Sequence, residues 1–206
     1  MQPLELYIHI PFCVKKCAYC DFLSGPAGEK EKEEYVKMLV DEIRNCPDTV
    51  QNYRVISIFF GGGTPSLLTG EQIGRLMDTV REIFTLDEDA EITMEMNPGT
   101  VTEEKLRKYR QAGVNRLSIG LQSVNDEELR LLGRIHTYEE FLEAYHLARA
   151  NGFANINVDL ISAIPGQTVE SWRRTLEQVM ALSPEHISAY SLILEEGTTF
   201  YKKYVE

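Results

Sequence analysis

Residues 55–66 read Val-Ile-Ser-Ile-Phe-Phe-Gly-Gly-Gly-Thr-Pro-Ser, and this segment contains the unit on which the fold is built. Its first half is rich in β-branched and aromatic residues, a composition typical of a buried strand. The glycines and Pro65 then interrupt the strand, and an apolar pattern of helical period follows over about residues 71–84. The segment therefore predicts a strand, a tight turn and a helix in that order.

The same order recurs along the rest of the chain. Further strands are predicted over residues 4–10, 91–96, 116–120, 156–161 and 186–194, and helices over 31–46, from 102 onward, over 125–132, 138–151 and 169–182. Short connections between apolar strands and amphipathic helices predict a parallel sheet covered by helices. This pattern is compatible with both a partial barrel and an open sheet.

Length and composition limit the classes of protein to which the chain can belong. Its 206 residues fit one domain, 1–206, with a hydrophobic share of 43% and a formal net charge of −11. An acidic chain without a basic stripe is not expected to bind nucleic acid, and no apolar run reaches the ~18 residues of a membrane span. The start carries no export signal, so a cytoplasmic location is predicted. Residues 201–206 resemble the beginning of a helix, and we expect the natural protein to continue beyond them.

Three of the four cysteines lie within eight residues, directly after the first predicted strand. Cys13, Cys17 and Cys20 form the spacing CxxxCxxC, and three soft ligands suit an iron–sulfur cluster or zinc. No fourth ligand lies at close spacing, because Cys46 is placed on the far part of the first helix. This indicates an open coordination position, although unligated thiols or a zinc completed by His9 would also satisfy the pattern.

Polar residues follow or interrupt the other strands near their carboxyl ends, where parallel α/β proteins bind ligands. Glu95 and Asp159 lie in otherwise apolar strands, where an unpaired carboxylate would be costly, so each needs a partner. Salt bridges inside the sheet are one explanation and a ligand is the other. The glycine turn could simply reverse the chain, or it could let backbone groups approach a ligand.

Three motifs, residues 7–13 (Tyr-Ile-His-Ile-Pro-Phe-Cys), 17–22 (Cys-Ala-Tyr-Cys-Asp-Phe) and 61–68 (Gly-Gly-Gly-Thr-Pro-Ser-Leu-Leu), together carry a family resemblance. They resemble the radical S-adenosylmethionine (SAM) proteins related to oxygen-independent coproporphyrinogen III oxidase, and most of all the haem-chaperone branch of that family. The likeness runs from about residue 7 to about residue 199. It implies an α/β fold, a partial (β/α)6 TIM-like barrel of the radical SAM type, and the absence of the family's C-terminal region from residues 1–206.

The resemblance also implies cofactors and the residues that hold them. Cys13, Cys17 and Cys20 are expected to bind a [4Fe-4S] cluster whose fourth iron binds SAM, and an electron from a donor such as flavodoxin or ferredoxin would cleave SAM to methionine and a 5′-deoxyadenosyl radical. The expected SAM contacts are Tyr7, Tyr19, Gly62, Gly63, Thr64, Glu95, Gln122, Arg134, Asp159 and Ile193, the last placed on the sixth strand by spacing alone.

Three functions are compatible with the resemblance, and the first two involve haem or a porphyrin. The first is a haem chaperone, which would bind haem and deliver it to other proteins. The second is oxidative decarboxylation of coproporphyrinogen III, and a related radical enzyme with another substrate is a third. The oxidase branch carries a further cysteine two positions after the residue matching Cys20, where this chain has Phe22. The chaperone is therefore the preferred prediction.

Overall fold

Six strands alternate with seven helices in the computed structural model, which describes residues 1–205. The strands are β1 (Gln2–Ile10), β2 (Tyr53–Gly62), β3 (Thr85–Met96), β4 (Arg116–Gln122), β5 (Asn155–Ser162) and β6 (His186–Ser191). The helices are α1 (Glu29–Arg44), α2 (Gly70–Ile83), α3 (Glu103–Ala112), α4 (Asp126–Leu132), α5 (Tyr138–Ala150), α6 (Val169–Ala181) and α7 (Thr199–Tyr204). No helix within these residues is long and apolar enough to cross a membrane.

The strands form one parallel sheet in the order β1-β2-β3-β4-β5-β6. A doubly wound sheet would reverse its strand order at a switch point, whereas this sheet proceeds in one direction from first strand to last. Repeated crossovers of one hand place the helices on one face and curl the sheet. The result is a curled half-barrel, so the partial (β/α)6 barrel is confirmed and the open sheet is not the arrangement adopted.

The two faces of the sheet differ in chemistry because side chains alternate along each strand. On β4 and β5, Ile119 and Val158 are fully buried on the outer face and belong to the main apolar core, which the helices complete. The neighbouring Ser118 and Asn157 point to the concave inner face and are also buried. The inner face is thus polar, and its polar groups must find partners there or in a ligand.

Threonine begins most of the helices that follow the strands. The side chain of Thr69 accepts a hydrogen bond from the Gln72 backbone N–H, and equivalent N-caps are formed by Thr102, Thr137, Thr168 and Thr198. Such caps satisfy backbone donors that a helix leaves unpaired at its start. They let the chain turn from strand to helix within a few residues, which keeps the loops at the carboxyl edge of the sheet short.

Several element boundaries differ from the sequence prediction, and the largest difference is at β3, which begins at Thr85 and not near residue 91. Two further differences concern residues considered for the site. Strand β6 ends at Ser191, and the Leu192 N–H then donates to the Ser162 carbonyl at 2.8 Å, so Ile193 lies in the following loop and its predicted placement on the sixth strand is wrong. Helix α1 ends at Arg44 because the side chain of Asn45 donates to the Asp41 carbonyl at 2.7 Å. Cys46 therefore lies beyond this helix.

Candidate functional site

The cysteine loop leaves the carboxyl end of β1 and is closed at its base by backbone hydrogen bonds. The Gly25 N–H donates to the Pro11 carbonyl at 3.0 Å, and the Cys13 N–H donates to the Gly25 carbonyl at 2.9 Å. The middle of the loop is fixed as well, because the Ala18 N–H donates to the carbonyl of Leu132 at the end of α4. The three cysteines are therefore held by backbone contacts made around them.

The thiols of this loop face donors from two other parts of the barrel. The Thr64 hydroxyl lies 3.7 Å from Cys13 Sγ, and Nη1 of Arg134 lies 3.8 Å from Cys17 Sγ. Cys20 is partly buried, and this burial raises the pKa of its thiol. All four cysteines are free, and within residues 1–205 no three His, Cys, Asp or Glu side chains are grouped as ligands of a single metal ion. The three thiols line a shared cavity.

The glycine turn at the end of β2 packs directly against the cysteine loop. The Gly63 N–H donates to the Ile10 carbonyl at 2.9 Å, and a methyl group at Gly63 would lie 2.6 Å from the Phe12 carbonyl oxygen and 3.0 Å from Cys13 Sγ. Gly62 has a φ of +117°, and a methyl group there would lie 2.5 Å from the His9 ring. Side chains at these positions would displace the cysteine loop or His9.

Arg134 crosses the floor of the cavity from the loop after α4. One of its terminal nitrogens, Nη2, donates to the Gly120 carbonyl at 2.7 Å and to Oδ1 of Asn97, while Nη1 faces Cys17. Its Nε is buried and has no hydrogen-bond partner within the described residues. A buried donor without a partner is costly, so an anionic group of a ligand would stabilise this arrangement.

Two carboxylates lie in the cavity on β3 and β5. Glu95 accepts one hydrogen bond, from the Gly62 backbone N–H at 3.0 Å. The pKa of Glu95 is raised to about 7, mainly by burial and also by the negative charge of Asp159, while the hydrogen bond from the Gly62 N–H acts in the opposite direction. Asp159 is better supported, because Ser118 Oγ donates to Oδ2 at 2.8 Å and Asn157 Nδ2 donates to Oδ1 at 2.7 Å. Salt bridges, the alternative explanation for these carboxylates, are absent at both positions within residues 1–205.

The remaining predicted residues occupy different positions around the cavity. Gln122 is the last residue of β4 and has a φ of +76°, a strained conformation of the kind that collects at functional sites. Burial raises the pKa of Tyr19, which keeps its phenol neutral. Ile193 is 66% exposed and lines the cavity from the loop after β6.

Tyr7 does not line the cavity. Its ring stacks on that of Phe59 with the ring centroids 6.0 Å apart, and its hydroxyl lies 3.4 Å from His9 Nδ1. It nevertheless lies beside the glycine turn, because a methyl group at Gly61 would lie 2.9 Å from the Tyr7 hydroxyl. Partial burial and, to a smaller extent, the negative charge of Glu95 raise the pKa of Tyr7.

The cavity has a volume of about 380 Å³ and opens at the carboxyl ends of the strands. Its lining includes every residue for which the sequence predicted a cofactor contact except Tyr7. Those residues are Cys13, Cys17, Tyr19, Cys20, Gly62, Gly63, Thr64, Glu95, Gln122, Arg134, Asp159 and Ile193. The lining also contains Ser118, which the sequence analysis did not select. Like Glu95 and Asp159 it is a polar residue at an inner-face position of an apolar strand, so the same alternation could have identified it.

The donor set of the cavity suits a metal cluster together with a zwitterionic ligand. Three thiols supply soft ligands, and the Arg134 guanidinium in the cavity wall supplies positive charge for an anionic group. Glu95 and Asp159 supply negative charge for a cationic group. The shape of the glycine turn, which leaves no room for a side chain beside Cys13, is compatible with a ligand lying close to the backbone.

Comparisons with known proteins agree with this arrangement. The family model described as the Radical SAM superfamily matches residues 7–179. The chain is 46% identical to "Heme chaperone HemW" of Escherichia coli over 97% of this chain and 53% of that protein, and 42% identical to the protein of the same name from Haemophilus influenzae over 97% and 54%. It thus spans about half the length of these relatives. The solved structure of "Coproporphyrinogen III oxidase (HemN) from Escherichia coli" is similar with a TM-score of 0.86 and 37% identity, over 93% of this chain and 44% of that one.

Proposed function

Since the chain belongs to the radical SAM superfamily, we propose that Cys13, Cys17 and Cys20 hold a [4Fe-4S] cluster. The adjoining cavity then binds SAM, which completes the coordination of the iron that has no cysteine ligand. The observation that carries this proposal is the convergence of three thiols, two carboxylates and the Arg134 side chain on one cavity. When bound and reduced, such a cluster supplies one electron for cleavage of the sulfonium. The protein positions SAM and limits the access of water.

Each side of the cavity has a distinct proposed role. Arg134, which lines the cavity, supplies positive charge for the carboxylate of SAM. Gly62, Gly63 and Thr64 bring the backbone close to the methionyl part, and Glu95 accepts a hydrogen bond from a positively charged group. Asp159 and Gln122 bind the nucleoside part, with Tyr19 and Ile193 packing beside it. Tyr7 acts at the rim, next to Glu95.

Within this family we propose a haem chaperone, which takes up haem and delivers it to a client protein. Two observations support this choice. The relatives reported above from Escherichia coli and Haemophilus influenzae are both named haem chaperones. At the position where the oxidase branch has a further cysteine, this chain has Phe22, whose side chain is exposed and lines the cavity.

Oxidation of coproporphyrinogen III is the second candidate, and the similarity to the HemN structure favours it. The identity with that enzyme is 37%, compared with 46% for the haem chaperone of the same organism. The electron donor, whether a flavodoxin or a ferredoxin, and the cytoplasmic location stay predictions.

Anaerobic reconstitution of the cluster tests the first part of the proposal. We expect about four iron atoms per chain, an electron paramagnetic resonance signal after reduction, and a change in that signal when SAM is added. Cys17→Ser should lose the signal, whereas Cys46→Ser, at a thiol outside the cavity, should retain it. An unchanged cluster in Cys17→Ser would contradict the ligand assignment.

A second pair of assays, on the natural full-length protein with its cluster, separates the two functions. Titration with haem, followed by absorbance, measures haem binding, and product analysis measures conversion of coproporphyrinogen III. Haem binding without conversion is the result expected for a chaperone. Turnover of coproporphyrinogen III would overturn that choice in favour of the oxidase.

A further inference from the structure

A row of polar side chains crosses three strands on the inner face of the barrel, one layer below Asp159. The register of the sheet places Ser118 on β4 beside Asn157 on β5, and Asn157 beside His186 on β6. Asn157 is 2% exposed, and neither it nor His186 lines the cavity. The row therefore connects the exposed edge strand to a carboxylate of the site.

The side-chain amide of Asn157 uses its full hydrogen-bonding capacity. Its Nδ2 donates to Ser118 Oγ at 2.8 Å and to Asp159 Oδ1 at 2.7 Å. Its Oδ1 accepts from His186 Nδ1 at 2.5 Å and from Ser188 Oγ at 3.0 Å. Two donors and two lone pairs are all that an amide offers, so the orientation of Asn157 is fixed from four directions.

The direction of each bond follows from Asp159. A carboxylate accepts, so the Asn157 nitrogen must face it and the Asn157 oxygen must face His186, whose Nδ1 then carries the hydrogen. Ser118 accepts from Asn157 and donates to Oδ2 of Asp159 at 2.8 Å. Each carboxylate oxygen of Asp159 thus accepts one hydrogen bond from the protein. The remaining lone pairs are left for a ligand in the cavity.

We propose that Asn157 is a positioning residue for SAM binding: with His186 and Ser188 behind it and Ser118 beside it, it aims the Asp159 carboxylate into the cavity. This inference rests on the proposed binding of SAM by Asp159. It assigns a role to four residues that do not belong to the predicted contact set, namely Asn157, His186, Ser188 and Ser118. Asn157 itself does not touch the ligand and acts through Asp159.

The test is the variant Asn157→Asp, measured in the chain with its reconstituted cluster. The replacement has the same size and still accepts from His186, but it places an oxygen against Asp159 where a donor was. We expect the dissociation constant for SAM, measured by equilibrium dialysis, to rise about tenfold or more, because a hydrogen bond to a charged group is replaced by repulsion. Iron content should stay at the wild-type level.

Asn115→Asp is the matched control. Asn115 also uses both ends of its side-chain amide, accepting from the Ile92 N–H at 2.8 Å and donating to the Ala90 carbonyl at 2.8 Å, both on β3, but it lies outside the cavity. This variant should lower the midpoint of thermal unfolding and leave the dissociation constant unchanged. If Asn157→Asp behaved in the same way, with SAM affinity within twofold of wild type, the positioning role would be overturned.

A second variant covers the case in which Asn157→Asp does not fold. His186 is exposed at the edge of the sheet, so His186→Ala should fold, and loss of one donor to Asn157 should weaken SAM binding about threefold. Unchanged affinity in His186→Ala would then overturn the proposal. A wild-type chain that holds the cluster but does not bind SAM would instead overturn the proposed function, and with it the premise of this inference.

Discussion

The carboxyl group of Glu95 makes the stability of the protein depend on pH in an unusual direction. Burial raises its pKa from the ordinary value of 4.5 to about 7. Between these values the folded chain keeps a proton that the unfolded chain has released. The folded state therefore binds more protons, and the free energy of unfolding falls as the pH rises through this window. The difference corresponds to about 3 kcal/mol, lost in full only above pH ~7.

Replacement of Glu95 by glutamine removes this penalty without changing the shape of the side chain. The amide oxygen can still accept the hydrogen bond from the Gly62 N–H, which is 3.0 Å from Oε2 in the wild type. We expect Glu95→Gln to be as stable as the wild type at pH ~4.5 and more stable by about 3 kcal/mol at pH ~8. Urea unfolding of the metal-free chain, followed by circular dichroism at several pH values, measures the difference.

A control on the same strand separates the effect of burial from that of net charge. Glu91 is exposed, and its only ion pair within residues 1–205 is a long one, 3.9 Å, with Arg116. Glu91→Gln should change the free energy of unfolding by less than about 0.5 kcal/mol at any pH in the range. Equal pH profiles for Glu95→Gln and the wild type would refute the assignment of a proton to Glu95 near neutrality.

Although Glu95→Gln should stabilise the fold, it should also weaken SAM binding. A cationic group of SAM would stabilise the charged form of Glu95, so binding should strengthen as the pH rises through about 7 and this dependence should disappear in Glu95→Gln. Greater stability together with weaker SAM binding in Glu95→Gln is the result expected if the carboxylate serves ligand binding at a cost in stability.

Three further predictions concern the cluster side of the cavity. Cys17→Ser should lose the cluster but keep the far-ultraviolet circular dichroism spectrum, because the ligand loop lies outside the main apolar core; a lost spectrum would make the cysteine structural. Thr64→Val removes the hydroxyl 3.7 Å from Cys13 Sγ and should lower the reduction potential by about 40 mV, as expected for loss of about 1 kcal/mol of stabilisation of the reduced form; an unchanged potential in a redox titration would exclude this hydrogen bond. Gly63→Ala should reduce the iron content after reconstitution, since its methyl group would lie 2.6 Å from the Phe12 carbonyl oxygen, and a full complement of iron would show that the loop can move aside.

Local patterns in the sequence were sufficient to predict the order of the elements and about half of the cavity lining. Strand and helix periods differ, and parallel strands bring their carboxyl ends to one edge, so Glu95 and Asp159 could be placed together before any coordinates. Register was the missing information. The four partners of Asn157 come from β4, β5 and β6. Their proximity could not be predicted without the strand register, which pairs Asn157 with Ser118 on one side and with His186 on the other. The end of β6 was missed for a related reason, because it depends on where the pairing with β5 stops, at Ser162 and Ser191.

The two carboxylates of the cavity differ in how much of their support comes from the protein. Asp159 is held by side chains of two strands, and one of these, Asn157, is fixed in turn from a third. Glu95 has one backbone N–H and faces the charge of Asp159, so its ionised form is poorly stabilised until a positive charge arrives. It follows that the protein alone holds the Asp159 carboxylate on β5 in place, whereas the charged form of Glu95 on β3 needs a cationic ligand to stabilise it. Loss of Asp159 or its support should therefore weaken SAM binding at every pH, while loss of the Glu95 charge should do so only where that carboxyl would otherwise be ionised.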